Sequence, residues 1–295
     1  GSTARVDPTL FAFLLGLGSA VTLAGANTFV KSAKDILGGR TVMTVTSSIL
    51  VIPALFFVPL PSTATWVFLA MSLPAHWLYQ TALVRALTRG DLSLVFPVMR
   101  GSAPLITAIF ASIFLGEHLS PVAIAGLTIA SLATIVFALP EKGFNGSHAI
   151  RNSALLWAMA TGAGIAIYNV IDAQGVRSAL DTVGTQWSFI VWLFVLDWIG
   201  ISTITLVTRG PMEFAASARR ALWPGLGAGV CSLVSFSMAL YGFSIAPVAY
   251  ISAMRETAVV FAAVMGWWFL REGFGARRTF AAVVLAAGLG LLQFG

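Results

Sequence analysis

Met99-Arg100 and Leu115-Gly116-Glu117 return 155 residues later as Met254-Arg255 and Leu270-Arg271-Glu272, so in both places the Arg precedes the Glu by 17 residues. Each Arg–Glu interval is an apolar run, and a segment rich in small residues follows each Glu. The openings of the two halves correspond as well. Asn27 follows Ala24-Gly25-Ala26 near the end of one apolar run, and Asn169 follows Ala166-Ile167-Tyr168 in another. Three coincidences in the same order argue for an internal duplication.

Composition says what kind of unit was duplicated. Of 295 residues, 58% are hydrophobic and 9% charged, with mean hydropathy +0.91. A soluble domain carries about 25% charged residues, so a water-solvated globule is excluded. Disorder is excluded by the same apolar excess. The net charge of +6 does not point to nucleic acid, because the chain has only three Lys and its 14 Arg are scattered. A lone cysteine, Cys231, rules out an intrachain disulfide and a cysteine-based metal site.

A lipid-crossing helix needs about 20 mostly apolar residues. Breaks at Gly, Pro and charge leave ten such runs, at 9–31, 40–59, 65–88, 92–115, 121–139, 153–173, 185–207, 222–243, 247–270 and 276–294. The alternating pattern of a membrane barrel is absent. The first run lacks the basic flank of a signal peptide and reads as a span. Residues Thr208–Ala221, with Met212-Glu213-Phe214 and Arg219-Arg220, suit either a short interfacial helix or a plain loop. The expected fold is therefore an all-α membrane protein. Five spans per unit is odd, so successive units enter the bilayer in opposite directions. The expectation is two inverted five-helix repeats, residues 1–142 and 150–295, around a central cavity.

Ten spans in two halves, with a fourth helix ending in Gly116-Glu117 or Arg271-Glu272 and a small-residue-rich fifth, resemble the EamA-type drug/metabolite transporter superfamily. The resemblance covers nearly the whole chain. Within that superfamily the chain is most similar to exporters of amino acids, aromatic ones included. The resemblance implies a basket of ten helices, alternating access, and both termini in the cytoplasm of a bacterial inner membrane. Charge implies the reverse orientation. Linkers after the odd-numbered spans hold 13 of the 17 Lys and Arg, among them Lys31, Lys34, Arg40, Arg209 and Arg220, against Arg5 and Arg177 on the other side. The positive-inside rule then places both termini outside.

Arg100 and Arg255 fall eight residues into their spans, about 12 Å deep at 1.5 Å per residue. A charge there costs about 2.5–3.5 kcal/mol on insertion scales unless it faces a cavity or a partner. A guanidinium grips a carboxylate bidentately, which makes either Arg a candidate substrate anchor. The alternative is a structural Arg that snorkels or meets a helix end. Glu256 follows Arg255 and is either a coupling-proton site or a static partner of Arg100. His76, Tyr79, Gln80 and Leu83 share one helix face by their i, i+3, i+4, i+7 spacing. Phe96 lies beside Pro97 close to Arg100, and Tyr168, Asn169 and Asp172 mark span 6. Tyr241 closes the expected substrate set of Arg100, Arg255, His76, Tyr79, Phe96, Tyr168 and Tyr241. Asp197 is deep and without an evident partner. The pairs Gly126/Ala130 and Ala286/Gly290 are small-xxx-small patterns expected to pack spans 5 and 10 as outer support.

No phosphate loop, zinc signature or nucleophile elbow occurs. No enzyme activity, cofactor or metal is expected, and the expected partners are a small-molecule substrate and membrane lipid, not nucleic acid, with the chain a monomer. The expected function is secondary active export of amino acids or related small metabolites. A phosphate- or phosphonate-bearing metabolite is the alternative cargo. A lipid flippase, a scaffold or an intramembrane enzyme is the alternative class.

Overall fold

The computed structural model describes residues 7–89, 92–138, 152–270 and 275–295. The linker carrying Lys142 and Arg151, and the Arg271-Glu272 step, lie outside the described residues. The rest is helical. The helices are α1 (Pro8–Ser32), α2 (Ile36–Val51, prolonged by a 3-10 turn, Ile52–Phe56), α3 (Thr63–Arg89), α4 (Leu92–Leu115), α5 (Pro121–Ala138), α6 (Asn152–Val183), α7 (Trp187–Arg220), α8 (Leu222–Ile245), α9 (Val248–Glu256), α10 (Ala258–Leu270) and α11 (Gly275–Phe294). Counting α9 and α10 as one broken rod gives ten. Among the described residues eight segments are long and apolar enough to cross a membrane, and Pro121–Phe137 is a shorter apolar helix. Helix α3 is the most polar of the ten, because it carries His76, Gln80 and Arg85.

Two breaks have local causes. Gly210 has φ 79° and ψ 166° inside α7, and Pro211 follows it. Only glycine takes that backbone cheaply, and proline opens the helix that continues over 211–220. This settles the Thr208–Ala221 stretch as helix. Between α9 and α10, the Thr257 hydroxyl donates to the Met254 carbonyl at 2.7 Å, and the Thr257 N–H reaches the same carbonyl at 3.2 Å. That tight turn interrupts the regular ladder directly after Arg255 and Glu256.

Packing is close. Helix α3 packs along α6, α1 along α8, and α5 along α11; α4 also packs on α6, and α2 on both α7 and α8. A Cβ on Gly126 would lie 2.5 Å from the Gly288 carbonyl oxygen, and one on Gly288 would lie 2.7 Å from the Ala130 nitrogen. Backbone meets backbone there, as small residues allow. The crossing uses Gly288, not the expected Ala286/Gly290 pair. Gly290 faces open space and Ala286 is exposed.

Hydroxyls join helices where lipid offers no hydrogen bonds. Ser19 and Ser235 each donate to the other's carbonyl, at 2.8 and 2.7 Å. Ser47 donates to Gly229 O at 2.8 Å, and Ser48 to Phe194 O at 2.6 Å. The outer surface is apolar instead, with Leu78, Ile113, Phe280 and Val283 exposed, as expected of an integral membrane protein. Trp223 and Trp268 are exposed too and suit the interfacial belt.

Candidate functional site

A cavity of about 120 Å³ lies inside the bundle. Its wall includes Asn27 of α1, Arg40 and Ser47 of α2, His76, Tyr79 and Gln80 of α3, Arg100 of α4, Tyr168 of α6, Phe194 and Asp197 of α7, Ser235 and Phe236 of α8, and Arg255 of α9. Of the expected substrate set, Arg100, Arg255, His76, Tyr79 and Tyr168 meet here. Tyr241 does not line the cavity. Its ring packs against Phe11 and Trp187, each with centroids 5.9 Å away. Phe96 lies on α4, and its side chain is outside the described residues.

A wider vestibule of about 780 Å³ shares Arg40 and Gln80 with the cavity. It is lined by Lys34 and Asp35 at the α1–α2 turn and by Arg209, Glu213 and Arg220 beyond the α7 kink. The vestibule therefore opens on the Lys/Arg-rich face. Asp35 caps α2, accepting from Gly38 N at 3.0 Å, and pairs with Arg209 Nη1 at 2.9 Å. Burial pushes its carboxyl up, but these bonds and the charges of Arg209 and Arg220 outweigh that and hold it below the usual carboxylate value.

Successive helices alternate in direction, which puts Glu117, Arg177 and the α8–α9 turn on the opposite face. There Arg177 donates to Glu117 Oε1, to Phe243 O at 2.9 Å and to Ala246 O at 3.2 Å. Glu117 Oε2 accepts from Val248 N at 3.0 Å. One guanidinium and one carboxylate thus tie the end of α4, helix α6 and the α8–α9 turn together on this face.

Inside the cavity Arg255 donates Nε to Ser19 Oγ at 3.0 Å, and its Cζ lies 5.4 Å from the Phe236 ring centre. Arg100 makes no hydrogen bond among the described residues. Among the described residues each therefore keeps donors for a solute. Glu256 is buried and sits within electrostatic reach of both; its Oε2 has no hydrogen-bond partner among the described residues. The His76 ring stacks on Tyr168 with centroids 4.1 Å apart. Its Nε2 lies 2.9 Å from Asp172 Oδ2, and Ser72 donates to the other Asp172 oxygen.

The Ser72–Asp172–His76 group was legible in part. Ser72 and His76 are four apart on α3, and Tyr168 and Asp172 are four apart on α6, so each pair shares a face. That the two faces meet is a tertiary fact. Arg40, expected in a linker, is inside α2 and on the cavity wall, because α2 begins four residues before it.

No family model and no curated protein matches the chain. A protein crystal structure of 14% sequence identity superimposes with TM-score 0.73, with 96% of each chain covered. At that identity the likeness establishes the fold and nothing about cargo.

Proposed function

We propose that this chain is a secondary active transporter that works by alternating access and exports amino acids or related small metabolites. The observation that carries the reading is a polar cavity inside a lipid-facing helical bundle, with two deep guanidiniums, Arg100 and Arg255, on its wall and a wider vestibule beside it on the Lys/Arg-rich side. Intramembrane charges are retained where they face a pathway. Guanidiniums suit a carboxylate.

The packing pairs support two inverted five-span repeats, 1–142 and 150–295. Exchanging the halves turns α3/α6 into α8/α1, α4/α6 into the α9–α10 rod against α1, and α2/α8 into α7/α3, while α5/α11 and α2/α7 map onto themselves. A two-fold of that kind lets one packing arrangement open to either side in turn. The vestibule's basic rim favours a cytoplasmic opening by the positive-inside rule, and both termini then lie outside.

Labelled amino acids taken up by liposomes holding the purified protein, with and without a pH gradient, test the reading. Arg100→Ala and Arg255→Ala are each expected to lower flux by about tenfold or more, the worth of one charge-assisted contact. Glu256→Gln is expected to remove only the gradient-driven part. Wild-type vesicles no more permeable than empty ones, or flux indifferent to both Arg substitutions, would overturn it.

A further inference from the structure

Asp197 belongs to the cavity wall, and its Oδ1 is buried without a hydrogen-bond partner among the described residues. A carboxylate at that depth is costly unless something neutralises it. The charged groups it feels are His76, Asp172 and Arg40. His76 is committed to Asp172 at 2.9 Å, and no ion pair joins Arg40 to Asp197 among the described residues. Gln80 adds a second buried acceptor, Oε1, that also lacks a donor, on the same wall. Two acceptors with no donor among the described residues call for a donor brought by the solute.

Charge balance says what the rest of that solute carries. Apart from the paired His76 and Asp172, Arg40, Arg100 and Arg255 stand around the cavity with Asp197 and, behind the wall, Glu256. The cavity thus presents both signs of charge. Its cationic pole is Arg100 with Arg255, offset in part by Glu256. Its anionic pole is Asp197. A phosphate dianion would satisfy the cationic pole and leave the acceptors of Asp197 and Gln80 without a donor. A zwitterion satisfies both poles. Tyr79, Tyr168, Phe194 and Phe236 supply the apolar wall for its side chain.

We propose that Asp197, seconded by Gln80, binds the ammonium group of a zwitterionic solute whose carboxylate sits at Arg100 and Arg255. This rests on the transport reading and adds the residue that reads the solute's positive end. The test is counterflow of labelled leucine in proteoliposomes, with labelled phenylalanine run alongside, the leucine competed by unlabelled leucine, by 4-methylpentanoate, which lacks the ammonium, and by 3-methylbutylamine, which lacks the carboxylate. The same three compounds are ranked by the shift they give to the protein's melting temperature, a readout that needs no turnover.

Wild-type protein is expected to prefer leucine over both analogues by at least about tenfold. Asp197→Asn is expected to bring the leucine-to-4-methylpentanoate ratio close to one, and Asp197→Glu to restore part of it. Equal competition by 4-methylpentanoate in the wild type, or a full preference kept by folded Asp197→Asn protein, overturns the ammonium site while leaving transport standing. No counterflow of leucine or phenylalanine by the wild type, together with no melting shift, overturns the transport reading and this proposal with it.

Discussion

Replacing Arg177 by Ala should release the face it ties together. Arg177 holds Glu117, Phe243 O and Ala246 O together, and its loss leaves Glu117 with the Val248 N–H alone and takes a donor from two carbonyls at the junction of α4, α6 and the α8–α9 turn. A hydrogen bond to a charged group is worth about 1.5–3 kcal/mol net. Both side chains retain some solvent contact, 31% for Arg177 and 19% for Glu117, so screening reduces the sum of three bonds. We take about 2 kcal/mol for the whole latch, a shift of about 30-fold in the balance between closed and open. The readout is a cysteine at Ser232, on the cavity wall, in a Cys231→Ser background. A membrane-impermeant maleimide applied from the Arg177 side reaches it only when that face opens. The labelling rate should rise about 30-fold in Arg177→Ala and less in Glu117→Gln, which keeps the carbonyl contacts. A change below about threefold, in protein whose melting shows it folded, would refute the latch, because a bond of this size cannot break without moving the equilibrium.

Gly126→Ala should destabilise by about 1–3 kcal/mol, since its Cβ would meet the Gly288 backbone; Gly290→Ala, in open space, should leave the melting temperature unchanged, and the reverse ranking would reject the crossing described above. Asp35→Asn should lower the melting temperature at neutral pH. Its carboxyl is held low in the folded state, so its contribution is full above the unfolded value of about 3.9 and is lost as pH falls through the folded one; the wild-type advantage should therefore shrink below about pH 4, and a pH-independent difference would contradict the Arg209 pairing.

Much of the site was legible because helical spacing is. The His76, Tyr79, Gln80, Leu83 face reads directly from an i, i+3, i+4, i+7 pattern, and all four residues line the cavity or its vestibule. Arg100 and Arg255 were legible because a charge in an apolar run has few tolerable places to go. Tyr241 shows the limit of that logic. A tyrosine in a span is equally at home in a cavity or packed near a helix end, and here it packs on Phe11 and Trp187.

Taken alone, the sequence settles that the chain is helical and lipid-embedded, and where most of its rods begin and end; the sixth and seventh, expected to end at 173 and 207, run on to Val183 and Arg220 as polar extensions beyond the apolar run. Hydropathy and periodicity are properties of each segment, and lipid forbids unpaired backbone whatever the neighbours do. Only the tertiary structure decides which rods touch. Ser72 and His76 on α3 meet Asp172 on α6, Arg177 on α6 closes on Glu117 beyond α4, and Asp197 keeps an oxygen on the cavity wall with no partner among the described residues. Those pairings are set by how helix surfaces interdigitate across the bundle, and no spacing within one segment encodes them.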